Sequence, residues 1–300
     1  MGDDMQKIEP IRPEPAPGTP PASPIRPRDA ASENFPVGSL LLPARLRPSV
    51  RAFYDVVRAA DDIADDPDLR ADVKRARLDA IELGLRADDA GDPRALALRA
   101  ALAACGHAGA EDHAHAMLTA FHADVSARPC QSWSDLTRYC ESSANPVGRF
   151  LLDIHDEDPR THAASDALCT VLQVLNHMQD LGEDWRDLGR VYLPLDWIHE
   201  AGADIGDLGG TALTPELRVV LDRALAACVP LLDRAATLPG LVRSRRLRAE
   251  IRVIETLARA LHARLAQSDP LAVRVAPARA DWWRAGLRGG LALLSPVRPA

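Results

Sequence analysis

The chain has 300 residues, of which 47% are apolar, and its formal net charge is −7. This length and apolar content are sufficient for a buried core, so disorder of the whole chain is excluded. The acidic balance argues against a nucleic-acid-binding protein, because affinity for the phosphate backbone depends on a basic surface.

The cysteine pattern and the hydropathy pattern both favour a cytoplasmic protein. The five cysteines form no C-x-x-C pair, so neither a disulfide framework nor a zinc site is predicted. No apolar run reaches the roughly 18–20 residues that a membrane-spanning helix needs, and the N-terminus lacks the apolar stretch of a signal peptide. We expect a cytoplasmic location, with peripheral contact at the inner face of the cytoplasmic membrane as an alternative.

The composition along the chain predicts one helical domain between two tails. Residues 1–31 contain 8 of the 24 prolines and are predicted to be a disordered tail. Residues 32–275 are rich in Ala, Leu, Arg and Asp, lack alternating β-branched residues, and are interrupted by short Gly and Pro breaks. This pattern predicts a single all-α domain. Residues 276–300 are predicted to be a C-terminal tail.

The first informative segment runs from Pro48 to Asp66 and carries paired aspartates. On a helical wheel, Asp61 falls on the apolar stripe that begins at Val50, and Asp65 lies one turn further on. Asp62 and Asp66 lie at the edge of the same side of the helix. A carboxylate on an apolar stripe requires a cation or hydrogen bonds to compensate it. The alternative is a solvated acidic helix end.

The second informative segment covers residues 168–184. Its apolar face consists of Leu168, Val171, Val174, Leu175 and Met178. Its opposite face carries short oxygen donors at helical spacing, at Gln173, Asn176, Asp180 and Asp184. Hard cations such as Mg²⁺ take oxygen ligands and keep waters and substrate phosphates as further ligands. The two acidic pairs therefore predict a magnesium and diphosphate clamp, and Arg190 and Tyr192 follow closely enough to hold phosphate oxygens.

These motifs resemble those of the squalene and phytoene synthases. Residues 58–66 resemble the first aspartate-rich motif of that family, and residues 173–184 resemble the second. Tyr139-Cys140 with Gly148 resembles the segment between the motifs, and Arg190-Val-Tyr-Leu-Pro resembles the segment after them. The similarity extends from about Glu33 to Leu271.

The resemblance implies a class I isoprenoid synthase fold, all-α around a central cavity, in which Mg²⁺ draws off diphosphate and leaves a carbocation. It assigns metal binding to Asp61, Asp62, Asp65, Asp66, Asp180, Glu183 and Asp184. It assigns ionisation or proton transfer to Tyr54, Arg58 and Tyr139. It assigns diphosphate or substrate contact to Ser32, Asn34, Gln173, Asn176, Arg190 and Tyr192.

Two departures from the common family pattern narrow the expected reaction. The chain reads Ser32-Glu-Asn-Phe-Pro near its N-terminus and Ser143-Ala-Asn-Pro after Tyr139. Both variants resemble the hopanoid-pathway branch, in which presqualene diphosphate is converted to hydroxysqualene and a separate flavoprotein performs the reduction. No dinucleotide-binding or P-loop pattern occurs, so NADPH is not expected. Asn145, with Ser142 and Ser143, is a candidate to hold the water that captures the cation; a capped helix end is the alternative.

Other interpretations remain open from the sequence. The chain can be the enzyme that condenses two prenyl diphosphates head to head to presqualene diphosphate, squalene or phytoene, or it can be a non-catalytic assembly factor of the same superfamily. The expected partners are presqualene diphosphate and neighbouring enzymes of the squalene pathway, with no nucleic acid. The C-terminal segment Asp281-Trp-Trp-Arg, with its leucine run, predicts either an interfacial membrane anchor or a disordered terminus.

Overall fold

The computed structural model describes residues 42–87, 90–126 and 129–295. These residues form helices joined by short turns and contain no β-strand, which confirms the all-α prediction. Ser32, Asn34 and the predicted tail 1–31 lie outside the described residues. The α-helices are α1 (Arg47–Asp65), α2 (Ala71–Arg86), α3 (Pro93–Cys105), α4 (Asp112–Val125), α5 (Trp133–Ser143), α6 (Asn145–Asp153), α7 (His162–Gln179), α8 (Leu181–Glu183), α9 (Leu195–Ala201), α10 (Pro215–Ala235), α11 (Leu238–Leu241), α12 (Arg245–Leu265) and α13 (Arg279–Leu294).

Two large apolar clusters form most of the core. The first joins α1, α2, α3 and α4 to α6, and at its centre the rings of Phe53 and Phe150 stack with centroids 3.9 Å apart. The second surrounds α7 and takes side chains from α5, α9, α10 and α12. Since α1 belongs to the first cluster and α7 to the second, a contact between the two acidic segments bridges the two halves of the core.

Helix α7 is the central helix of the second cluster. Its predicted apolar face is confirmed, because Val171, Val174, Leu175 and Met178 are fully buried and Leu168 is nearly so. Helices α6, α10 and α12 pack around it. A helix covered on several sides leaves only a narrow strip for polar side chains, and the predicted polar stripe occupies that strip.

The helical period changes at the second acidic motif. Helix α7 ends at Gln179, and Asp180 forms a bend before the short helix α8. A five-residue π-helix, Asp184–Leu188, follows and ends at Gly189, whose φ is 63°. Because a π turn holds more residues than an α turn, side chains after Asp184 are rotated away from the positions that a continuous α-helical wheel predicts.

The C-terminal residues differ from the tail that the sequence suggested. Arg279–Leu294 form α13, which packs along α12 in an antiparallel arrangement. Arg264 donates to Asp281 at one end of the pair (2.8 Å), and Arg248 donates to the Ser295 carbonyl at the other. The alternative of a disordered terminus therefore does not hold for α13.

One stretch of the described chain is long and apolar enough to cross a membrane by length and composition alone. It is Pro215–Leu241, with a mean hydropathy of 1.2. Its α10 portion packs on α7, and one side of that helix, with Leu221, Ala224 and Cys228, is fully buried in the second cluster. We therefore assign it as a core helix.

The packing of α6 on α7 leads to a stability prediction. A Cβ atom on Gly148 would collide with Ser165 Oγ and lie 2.6 Å from Cys169 Sγ. We expect Gly148→Ala to lower the free energy of unfolding by about 1–3 kcal/mol despite the better helix propensity of Ala. Urea denaturation measures this change.

The matched control is Gly286→Ala, because Gly286 also lies within a helix but has nothing within 4 Å of its Cβ position. This substitution is expected to be neutral or to stabilise by up to about 1 kcal/mol. Equal effects of the two substitutions would contradict the proposed close contact of α6 with α7.

Candidate active site

The carboxylates of α1 lie beside its buried stripe and not within it. The side chain of Asp61 is 40% exposed, whereas Phe53 and the small residues Ala59, Ala60 and Ala64 are buried. The prediction that Asp61 sits in the middle of the apolar stripe is therefore wrong. The predicted stripe was centred on Val50, Tyr54 and Val57, but the buried side of α1, which includes Val56, Ala60 and Ala64, is centred about a quarter turn away.

Asp61 is nevertheless surrounded by protein and by other negative charges. Partial removal from water, the neighbouring Asp65 and, to a smaller extent, Asp62 and Asp124 raise the pKa of Asp61 to about 7, and Arg58 opposes them. Arg58 donates to Asp61 at 3.0 Å and forms an ion pair with Asp62 at 2.7 Å. The first acidic motif is thus a set of carboxylates whose mutual repulsion one arginine offsets only in part.

An ion pair joins the two halves of the predicted site. Arg190 Nη1 lies 2.7 Å from an oxygen of Asp65, which is 125 residues earlier in the chain. The side chain of Arg190 is only 11% exposed. Burial by itself lowers the pKa of Arg190, but Tyr192, Asp65 and Asp124 raise it by more, so the guanidinium remains charged. The structure thus brings Arg190, which the sequence predicted as a phosphate contact, to the first acidic motif.

A third cation, which the sequence did not reveal, lies at the end of α1. Lys74 of α2 donates to the carbonyl of Ala64 at 2.8 Å, where the helix dipole favours positive charge. Burial and the neighbouring Arg190 lower the pKa of Lys74, while Asp65 and Asp66 oppose this. Lys74 is one of two lysines in a chain with 36 basic residues, and that rarity was the available signal.

A further acidic residue, which the sequence also did not reveal, comes from α4. Asp124 accepts a hydrogen bond from the Tyr139 hydroxyl at 3.0 Å. Burial raises the pKa of Asp124 to about 6, although Arg190 and Tyr139 act in the opposite direction. Asp124 lies three residues after the buried Phe121 and seven after the buried Met117. This spacing puts Asp124 on the buried side of α4, but the packing of α4 against α5 is what brings it to Tyr139.

Three aromatic rings stand next to these charges. The rings of His177 and Tyr192 stack with centroids 3.5 Å apart, and Tyr139 lies 5.7 Å from Tyr192. Burial, then the nearby Tyr192 and Asp124, raise the pKa of Tyr139 far above its usual value, so its hydroxyl remains a donor. The structure thus brings the predicted residues Tyr139 and Tyr192 together and adds His177.

His177 also connects two predicted residues of the second motif. The amide nitrogen of Gln173 lies 3.0 Å from Nε2 of His177. Nδ1 of the same ring lies 3.7 Å from a carboxylate oxygen of Asp184. The His177 ring therefore lies between Gln173, with which it shares a hydrogen bond, and the Asp184 carboxylate.

The acidic residues of the second motif differ in exposure. Glu183 is exposed, Asp180 is partly buried at the bend, and the Asp184 side chain is 13% exposed. The backbone bond from Asp184 N–H to the Asp180 carbonyl, 2.8 Å, keeps these two residues one turn apart. Asp180 and Asp184 are therefore presented from the same side of the chain.

The donor chemistry of the two motifs fits Mg²⁺. All the predicted side-chain ligands are carboxylates carried by two segments of the chain, and Mg²⁺ is commonly held by one or two carboxylates with substrate phosphates and waters completing the octahedron. Within the described ranges, the one tight group of three ligand atoms is Asp79, Glu82 and His122 on α2 and α4. The predicted ligands of the two motifs do not form such a tight group among the described residues.

The remaining predicted residues occupy varied positions. Tyr54 lies one turn before Arg58 on α1 and is partly buried. Asn176 lies one turn before Asp180 on α7 and is partly buried. Asp66 accepts from the backbone N–H of Asp68 at 2.9 Å, so that side chain helps to end α1.

The three polar residues after Tyr139 differ in their bonding. Asn145 is buried, and its side-chain oxygen accepts from Thr170 on α7 at 3.0 Å. Ser142 donates to the Tyr139 carbonyl at 3.1 Å. The hydroxyl of Ser143 is buried and has no hydrogen-bond partner among the described residues. Ser143 is therefore the member of this group with capacity left for a water molecule.

Comparison with known proteins places these features in context. Residues 28–287 match the squalene/phytoene synthase family. A hydroxysqualene synthase from Zymomonas mobilis is 39% identical over 243 residues, which are 81% of this chain and 82% of that protein. A presqualene diphosphate synthase from the same bacterium is 31% identical over 179 residues, or 58% and 60% of the two chains.

The crystal structure of a squalene synthase from Alicyclobacillus acidocaldarius has a similar fold. It superposes with a TM-score of 0.66 at 30% identity, covering 78% of this chain and 88% of that one.

The raised pKa of Asp61 leads to a prediction for stability. The folded state holds a proton on Asp61 up to about pH 7, whereas the unfolded chain releases it near pH 4, so stability falls between those values and stays low above pH 7. Without Mg²⁺, Asp61→Asn should raise Tm at pH 8 by about 2–4 °C, and the gain should shrink towards pH 4. This range corresponds to about 1 kcal/mol, since solvent screens the exposed part of the carboxylate.

Added Mg²⁺ should raise the Tm of the native chain more than that of Asp61→Asn, because a ligand stabilises the state that binds it. Asp55→Asn, at an exposed position of α1, is the control and should change Tm little at any pH. Differential scanning calorimetry measures all three proteins. A native chain more stable than Asp61→Asn at pH 8 without metal would contradict the assigned repulsion.

Proposed function

Since the chain belongs to the squalene/phytoene synthase family, we propose that it is an Mg²⁺-dependent enzyme that converts presqualene diphosphate to hydroxysqualene. The observation that carries this proposal is its higher identity, over a longer span, with a hydroxysqualene synthase than with a presqualene diphosphate synthase of the same bacterium. The intact acidic motifs support catalysis over a purely structural role.

The proposed reaction is a substitution with rearrangement. The carbon–oxygen bond to diphosphate breaks, the carbon skeleton rearranges as a cation, and a water oxygen bonds to the new cationic carbon. The water loses one proton, and diphosphate leaves with the bonding electron pair. A carbon–oxygen bond is lost and another is formed, so the overall reaction is redox-neutral. It therefore needs no nicotinamide cofactor.

The carboxylates and the arginine of the site would bind the diphosphate in different ways, the carboxylates through Mg²⁺ and the arginine directly. Asp61, Asp65, Asp180 and Asp184 would hold Mg²⁺, which when bound supplies Lewis-acid stabilisation of the leaving diphosphate. Arg190 is already charged and lies against Asp65. Its remaining N–H donors can therefore bind an oxygen of the incoming diphosphate.

The aromatic group suits the cation that follows. Tyr139, His177 and Tyr192 lie in mutual contact, and the faces of aromatic rings attract positive charge. The hydrogen bond from Tyr139 to Asp124 fixes the direction of its hydroxyl. Tyr139 therefore combines a ring surface with a hydroxyl of set orientation beside the leaving group.

Water capture requires a polar group on an otherwise apolar wall. Ser143 ends α5 four residues after Tyr139, so both side chains lie on the same face of that helix. Its unpartnered buried hydroxyl can bind one water molecule in a fixed place. Asn145 remains a second candidate for this role, although Thr170 already occupies its oxygen.

A substrate assay tests the proposed reaction. Purified protein is incubated with Mg²⁺ and without NADPH, once with presqualene diphosphate and once with farnesyl diphosphate, and the lipids are identified by mass spectrometry. We expect hydroxysqualene from presqualene diphosphate. Presqualene diphosphate formed from farnesyl diphosphate would instead identify a condensing enzyme, and no turnover of either substrate would favour a non-catalytic assembly role.

A second assay tests the water site. Ser143→Ala should lower the ratio of hydroxysqualene to products of proton loss several-fold, because the cation then loses a proton when no positioned water captures it. Ser142→Ala is the matched control, since Ser142 Oγ is bonded within its own helix, and its product ratio should stay unchanged. An unaltered product ratio in Ser143→Ala would refute the assignment.

A further inference from the structure

Helix α13 is held on α12 by its small side chains. Ala285 and Gly289 are buried against α12, and a Cβ on Gly289 would lie 2.6 Å from Val253 and 3.1 Å from the Ala249 carbonyl. The ion pair between Asp281 and Arg264, 2.7 Å, fixes the start of the helix. The orientation of α13 is therefore set by close packing and an ion pair, not by its large apolar residues.

Those large residues point away from the protein. Trp283, Leu287 and Leu294 are 82%, 67% and 80% exposed, and at about 100° per residue they fall within about 40° of one another. Leu291 and Trp282 extend this surface on either side and are also exposed. We call these five residues the apolar face of α13.

Normal variation in surface composition does not account for the apolar face. Eleven large apolar side chains are exposed in the described part of the chain, and five of them lie on this one helix of 16 residues. Both tryptophans among them are adjacent. Scattered exposed apolar residues are ordinary, but a contiguous group marks an interaction surface.

Arginines border the apolar face. Arg279 lies near its centre line, and Arg284 and Arg288 lie on one edge. Arg279 and Arg288 form no ion pair or hydrogen bond with any residue that the structure describes, whereas Arg284 is 3.5 Å from Asp281. Arg288 also lines a groove with Arg248, Arg252 and Leu291. In a chain of net charge −7, this edge is locally basic, and within the described ranges Arg279 and Arg288 are its unpaired members.

We propose that the apolar face of α13 docks on the surface of an anionic lipid bilayer. Tryptophan and leucine side chains enter the boundary between head groups and acyl chains, and the unpaired arginines bind lipid phosphates. The helix is about 24 Å long and lies flat on α12, so it contacts the bilayer in plane and does not cross it.

The charge pattern favours lipid over a second copy of the chain. A symmetric contact through this face would bring Arg279 and Arg288 of each copy into an apolar interface. The one acidic residue of α13, Asp281, is buried and already paired with Arg264. Lipid phosphates supply the negative charge that a second copy lacks.

Vesicle co-sedimentation of the full chain tests the proposal. We expect binding to vesicles of phosphatidylglycerol and phosphatidylcholine and little binding to phosphatidylcholine alone. The double variant Trp283→Ser, Leu287→Ser should bind the anionic vesicles at least tenfold more weakly, because two large side chains lose their apolar environment. Both positions are exposed, so the fold should be retained, which circular dichroism verifies.

The matched control replaces two exposed valines of α10, Val219→Ser and Val229→Ser, and should bind as the native chain does. Arg279→Gln and Arg288→Gln should each weaken binding about fivefold, and the loss on adding salt should be smaller in these variants than in the native chain.

Three results would overturn the proposal. They are equal binding to anionic and neutral vesicles, absence of binding by the full chain, and a dimer in light scattering that the double variant abolishes while vesicle binding is unaffected. The test involves no turnover, so its outcome does not depend on the proposed reaction.

Discussion

Repulsion between carboxylates is the constraint around which the site is built. Asp61, Asp62, Asp65 and Asp124 approach one another in a region that protein partly shields from water, and Asp61 binds a proton near neutral pH as a result. Such a cluster destabilises the folded state unless positive charge enters it. Clusters of mutually repelling charges are typical of enzyme active sites, where they lower the stability of the unliganded protein but bind a ligand of opposite charge.

The resident cations offset part of this repulsion and define the geometry. Arg58 spans two carboxylates of its own helix, whereas Arg190 reaches across the core boundary to Asp65. Arg190 follows the π-helix, whose wider turn ends in a left-handed glycine. The irregular backbone thus affects the charge balance of the site, because it places the Arg190 guanidinium against Asp65 of α1. A divalent cation with diphosphate would complete the neutralisation that these arginines begin.

Two regions of this acidic protein differ in their electrostatics. Carboxylates cluster in the site between α1 and α7, whereas the solvent side of α13 carries exposed tryptophans and two arginines without a partner among the described residues. The proposed substrate and product are both lipids, which are sparingly soluble in water. A protein that rests on an anionic bilayer by α13 would exchange such molecules with the membrane over a short distance, while the site itself retains its affinity for a metal–diphosphate complex.

The sequence alone determined the all-α fold class, because that depends on composition and helical periodicity. It also located the two acidic motifs and the segment with Arg190 and Tyr192, because these are recognised from local spacing. Lys74, Asp124 and His177 required the tertiary structure, since each comes to the site through packing of a different helix. The helical wheel misplaced Asp61 because the buried side of α1 also includes Val56, Ala60 and Ala64, which shift its centre away from Asp61. The end of α7 and the docking of α13 were also decided by tertiary packing. Close helix approach and long-range charge pairing depend on which surfaces meet, and a one-dimensional pattern does not specify that.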